Sequence, residues 1–165
     1  MAIDQTILFA ASNYYQSGLN KQASDGRTYR TAFLCHSHLD EQLVKGLIVE
    51  FSRRGVKLYV DWLDTSMPDT PNKETAVKLQ LRIKQADMFL FLATRNSMHS
   101  RWCPWEIGYA DGIGKVPHIL PTVDQYSVTH GSEYLELYPR IDIFPLYSQP
   151  FMIFEPGNGF KEVLR

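Results

Sequence analysis

Apolar residues along this chain fall into short unbroken runs separated by stripes of helical period. The runs Thr31 to Ser37 (TAFLCHS), Val56 to Trp62 (VKLYVDW), Met88 to Thr94 (MFLFLAT), Val116 to Val123 (VPHILPTV) and Ile141 to Tyr147 (IDIFPLY) have strand length. Near-continuous apolarity of that length predicts strands covered on both faces. Between them, Leu39, Leu43, Leu47 and Phe51 recur every fourth residue with Val44 and Ile48 beside them, and Ala76, Leu79, Ile83 and Ala86 make a second stripe. These predict helices over 40–54 and 73–86. A third is predicted over 101–113, with Ser100 as its cap, Pro104 tolerated in the first turn and Gly112 and Gly114 at its end. The first helix is entered through Ser37 and Asp40, spaced like a capping box, and leaves through Arg53, Arg54 and Gly55. A short last helix is expected around Phe160 to Leu164. Strands alternating with helices mean a parallel sheet with helices on both faces. Such sheets bind ligands at the carboxyl ends of their strands.

Residues 1–29 read as an N-terminal leader, partly helical through Ile7, Leu8, Ala10 and Ala11, set outside the main fold by the polar stretch QSGLNKQASDGR. Its opening has no basic region before the apolar patch and no small-residue cleavage site, so a cytoplasmic protein is expected. Seventeen Lys and Arg against eighteen Asp and Glu leave a net charge of -1. No basic field points to nucleic acid, and no apolar run is long enough to span a membrane. Two cysteines, Cys35 and Cys103, make no disulfide framework and read as small core residues.

Several chemistries have no counterpart in the sequence. There is no Walker-type phosphate loop, and the glycines of GYADGIG end a helix instead of opening one, which excludes a dinucleotide-binding fingerprint. CHSH crowds Cys35, His36 and His38 together, but no second ligand cluster has zinc spacing, so no metal is expected. What remains is SRWCPWEIGYADGIGK. Trp102 and Glu106 are four apart and share one helix face, on the helix that follows the central strand's carboxyl end. By residue type alone, Glu106 is either a solvated helix charge or a carboxylate held in an apolar wall.

Several motifs in order resemble one family. TAFLCHSHLDEQLVKGLIVEFSRRGVKLYVD is similar to the opening of TIR (Toll/interleukin-1 receptor) domains, and ADMFLFLATRNSMHSRWCPWEIGYA to their third strand followed by the signature S-x-W-C-x-x-E. The likeness covers Thr31 to Tyr147 and is nearest to the stand-alone bacterial members. It implies a TIR domain over 30–165 with an α/β, flavodoxin-like three-layer sandwich: a central parallel five-stranded sheet with helices on both faces. It also implies an NAD+ glycohydrolase or cyclase that cleaves the nicotinamide–ribose bond, giving nicotinamide and either ADP-ribose or a cyclic ADP-ribose isomer. Glu106 would be the catalytic residue, and His36, Ser37, His38, Asp61, Thr94 and Trp102 would bind the substrate. NAD+ is then the substrate, with no separate cofactor. Further implications are self-association with other TIR domains, a role in bacterial anti-phage defence, and a downstream effector that senses a nucleotide product. The first loop reads HSH where active relatives often carry a basic or aromatic residue.

Two other readings stand beside this one. WEIGYADGIGK also resembles the E-I-G-Y-A-x-x-x-G-K run of nucleoside 2-deoxyribosyltransferases, which carry a nucleophilic glutamate, although the slot before the acid here reads SRWCPW and not D-x-G-T. The non-enzymatic reading is a TIR interaction module that self-associates through LDTSMPDTPN, with Glu106 merely structural.

Overall fold

The computed structural model describes residues 1–16, 30–68, 70–143, 151–157 and 159–164. In chain order these form β1 (Ile3–Asp4), α1 (Gln5–Ser12), β2 (Arg30–Cys35), α2 (Glu41–Arg53), β3 (Val56–Tyr59), α3 (Lys73–Gln85), β4 (Met88–Ala93), α4 (Arg95–Met98), α5 (Trp102–Gly112), β5 (Pro117–Val123), β6 (Thr129–His130), β7 (Arg140–Asp142), β8 (Phe151–Phe154) and β9 (Phe160–Leu164). The sheet runs β3-β2-β4-β5-β7-β8-β9, and its first five strands are parallel. Those five are the expected ones. The fifth is shorter than predicted, and residues 144–147 of its predicted run lie outside the described residues.

Strand alternation sorts the core into two layers. Ala32 and Leu34 of β2 and Met88, Leu90 and Leu92 of β4 face α2, packing against Leu43, Leu47, Ile48 and Phe51. Phe33 and Cys35, with Phe89, Phe91 and Ala93, face the other way, onto Leu79 and Ile83 of α3 and Cys103, Ile107 and Ala110 of α5. Full burial of each large side chain in these layers contributes about 1.5–3 kcal/mol. Leu39 does not join the α2 stripe. It stands in a 3-10 turn, His38–Asp40, ahead of the helix and is 68% exposed.

Three further expectations change. Residues 3–12 are not outside the fold: β1 pairs in parallel with β5 at Ile3↔Thr122, and Ile3 and Leu8 are buried in the α2 layer. Gly46 makes this docking close, because a Cβ there would overlap the Leu8 carbonyl. The rest of the polar stretch, from Ser17 on, lies outside the described residues. Phe160–Leu164 is a strand, antiparallel to β8, and not a helix. Edge pairing satisfies its backbone where helical propensity over five residues is too weak to do so. The irregular stretch after β5 carries β6, antiparallel to the end of β5, and Gly131 at φ 89, where a side chain would collide with Ala93. Among the described residues no helix is long and apolar enough to cross a membrane.

Candidate active site

The carboxyl ends of β2 and β4 point toward the start of α5. Ser100 caps that helix: its hydroxyl accepts from the N–H groups of Trp102 at 3.2 Å and Cys103 at 3.3 Å. From there Cys103, Glu106, Ile107 and Ala110 follow at helical spacing, and all four are buried. Glu106 therefore occupies a position on the core-facing stripe where an apolar residue is usual. It is 6% exposed. Burial pushes its carboxyl well above the ordinary range, the neighbouring Cys103 and Asp61 add to this, and the Cys35 thiol pulls back against it through a hydrogen bond. No cation forms an ion pair with it among the described residues. That setting favours the protonated form of the carboxyl.

Cys35 ends β2 and is fully buried, its thiol 3.9 Å from the Cys103 carbonyl oxygen. Burial raises its pKa, so it sits there as a neutral thiol. His36 comes next. Its Nδ1 is 2.9 Å from the Leu34 carbonyl oxygen, and its Nε2 accepts from the Trp62 indole N–H at 3.1 Å. These two partners select the neutral ring with its proton on Nδ1. Asp61 lies 3.5 Å from the same Nε2 and accepts from the Trp62 backbone N–H at 2.8 Å. Trp62 was not among the expected substrate-binding residues; it closed the predicted second strand, which in the structure stops at Tyr59 and is followed by a 3-10 turn, Asp61–Leu63.

The remaining expected residues divide. Ser37 is buried and its hydroxyl accepts from the Leu39 N–H, whereas His38 is exposed. Thr94 is 2% exposed with its hydroxyl already committed, donating to Asp40 at 2.5 Å and accepting from the Ser97 N–H at 3.0 Å. It ties the loop after β4 to the loop after β2. Asp40, read from sequence as half of a capping-box spacing with Ser37, is the buried centre of that tie and also accepts from Asn96 at 2.6 Å. Trp102 is half-buried, packed edge-on against Trp105 with centroids 5.5 Å apart. Tyr134 packs edge-on against Phe91 from the far side, a contribution that no sequence pattern announced.

Beside Trp102 a surface hollow of about 580 Å³ opens between the two loops, walled by Ser37, His38, Arg95, Asn96, Arg101 and Trp102. Trp102 belongs both to this wall and to the apolar layer that holds Cys103 and Ile107. The loop after β3 is anchored separately. Asp64 accepts from Tyr59 at 2.8 Å, Ser66 at 2.6 Å and Arg82 at 3.0 Å, and these bonds outweigh burial and hold its carboxyl well below the usual range.

Residues 32–149 match the family model described as TIR domain. Over 116 residues the chain is 40% identical to a protein of Bacillus cereus (strain MSX-D12) named "Probable 3' cyclic ADP-D-ribose synthase", an alignment covering 66% of this chain and 58% of that protein. Over 98 residues it is 34% identical to a protein of Cytobacillus dafuensis provisionally named as a cyclic ADP-D-ribose synthase, covering 56% of this chain and 25% of that one. The chain thus spans less than two thirds of the length of these curated relatives.

Proposed function

Because the chain belongs to the TIR domain family, we propose that it cleaves NAD+ at the bond between nicotinamide and ribose and yields a cyclic ADP-ribose isomer or ADP-ribose. The observation that carries this reading is Glu106, a buried carboxyl without a cation partner among the described residues, one helical turn beyond Trp102 at the carboxyl ends of the central strands. The names of the two relatives support the same substrate and favour the cyclic product. The TIR match, together with SRWCPW in place of D-x-G-T, weighs against the deoxyribosyltransferase reading.

The chemistry suits a single acid. Nicotinamide in NAD+ is a pyridinium cation, so when the C1–N bond breaks its electron pair leaves with the base, which departs neutral and needs no general acid. The sugar is left as an oxocarbenium-like cation. A carboxylate in an apolar wall stabilises that cation far better than one in water. Approach of the pyridinium charge favours the ionised form of Glu106, so substrate binding itself would drive its proton off. Trp102 limits water near C1. Where water reaches C1 the product is ADP-ribose; where a nucleophile of the same molecule reaches it first, the product is cyclic.

His36, Ser37, His38 and Asp61 would line the ribose side of the pocket, with Thr94 holding the loop behind them. The protein would work in the cytoplasm, self-associating with other TIR domains and signalling in bacterial anti-phage defence to an effector that senses the nucleotide. The test is nicotinamide release and product chromatography from NAD+ with the full chain and with Glu106→Gln. Release should fall by about 10²-fold or more in the variant. Equal release from both would remove Glu106 from the chemistry.

A further inference from the structure

Among the described residues, the hollow beside Trp102 is lined by two arginines and no carboxylate. Arg53, Arg54, Arg82 and Arg140 each lie within 3.4 Å of a carboxylate oxygen. Arg95 and Arg101 differ. Both are exposed, both wall the hollow, and among the described residues neither forms an ion pair. Asp40, between the same two loops, is buried, with one oxygen accepting from Thr94 at 2.5 Å and the other from Asn96 at 2.6 Å. Among the described residues no carboxylate of the wall neutralises the two guanidiniums. Two like charges facing one concavity repel each other, and an anion held between them removes that repulsion while gaining charge-assisted hydrogen bonds. Guanidinium forks match phosphate oxygens in particular.

The dimensions fit part of a nucleotide. About 580 Å³ lies within the range of small-molecule sites. From Trp102, which walls the hollow, to Glu106 is one turn of α5, about 6 Å along the helix axis, a distance comparable to that from a ribose 5'-phosphate to C1 of the same sugar. Glu106 is buried and is not part of the hollow's wall, so the sugar attached to a phosphate held there would span that one turn.

We propose that this hollow is the pyrophosphate subsite of the protein, with Arg95 and Arg101 as its binding residues. The assignment rests on the NAD+ reading for the identity of the nucleotide, not for the anion chemistry. Its test is titration calorimetry of the full chain with ADP and with adenosine, on the wild type, Arg95→Ala/Arg101→Ala and Arg95→Lys/Arg101→Lys, beside the KM for NAD+. ADP should bind the wild type at least tenfold more tightly than adenosine, with an affinity that weakens as salt rises. The double alanine variant should lose that advantage, the lysine pair should keep part of it, and the KM for NAD+ should rise about tenfold per lost guanidinium while kcat changes less. Unchanged thermal melting would show that the variants fold. ADP binding that is no tighter than adenosine binding, or equal in wild type and double alanine variant, overturns the subsite. Arginine-dependent ADP binding without nicotinamide release would leave the subsite standing and sink the NAD+ reading. Nicotinamide release with an unchanged KM in the alanine pair would do the reverse.

Discussion

The Cys35 thiol, at the end of β2, donates to the Cys103 carbonyl oxygen at 3.9 Å on α5, the helix that carries Glu106. This contact joins β2 to the proposed catalytic helix, and the thiol works against burial in setting the proton affinity of Glu106. A carboxyl whose pKa is raised in the folded state keeps its proton after the unfolded chain has lost it, so its stabilising share falls as pH rises through the folded value. Wild type should therefore lose thermal stability relative to Glu106→Gln as pH rises above about 4, the ordinary carboxyl range, and kcat/KM for NAD+ should climb across the same limb. Melting curves of both proteins against pH check the sign; parallel curves would mean that Glu106 is already ionised in the free protein.

Removing the thiol tests the contact from the other side. Cys35→Ala deletes a hydrogen bond that lowers the Glu106 pKa, so the rising limb of the kcat/KM profile should move to higher pH, at a stability cost of about 1–2 kcal/mol for the small void. Cys35→Ser, a stronger donor, should move the limb the opposite way. A limb that stays put in both variants would detach Cys35 from Glu106.

Trp62 holds His36 through the indole N–H at 3.1 Å. Trp62→Phe keeps an aromatic ring but removes the donor, so the His36 ring should lose its fixed orientation and the KM for NAD+ should rise several-fold. Stability should fall by no more than about 1 kcal/mol, the net worth of one hydrogen bond. Nitrogen-15 spectra of the imidazole report the outcome directly: the wild type should show the proton on Nδ1, and an Nε2-protonated ring would refute the arrangement.

The docking of α1 on α2 depends on Gly46. In an exposed helix interior, Gly→Ala is worth up to about 1 kcal/mol of added stability. Here the new methyl would meet the Leu8 carbonyl, so Gly46→Ala should instead destabilise by about 1–3 kcal/mol. Urea denaturation gives the sign, and a gain in stability would mean that α1 does not dock as described.

The strand runs, the helical stripes and the S-x-W-C-x-x-E signature lie in local periodicity, so five parallel strands, α2, α3 and α5 were legible in place and type though not in their ends, as was the prominence of Glu106. The place of residues 3–12 was not. A short helix shows in its own apolar spacing, but whether it finds a partner depends on Gly46, some forty positions away, lacking a side chain. Edge strands such as Phe160–Leu164 escaped for a similar reason, since their backbone partners are supplied by another strand and not by their own pattern.

At the site, order along the chain determined which chemical groups exist: one acid after a tryptophan, two thiols, a histidine at a strand end and arginines in loops. Tertiary structure alone decided their states. Glu106 is pushed toward its protonated form because the sheet covers it, Thr94 is a loop tie because Asp40 reaches it from 54 positions away, and Arg95 and Arg101, both in the connection after β4, line a hollow because the loop after β2 stands beside them. Burial and electrostatic coupling depend on distances in space, and those are not written in the spacing of residues along a chain.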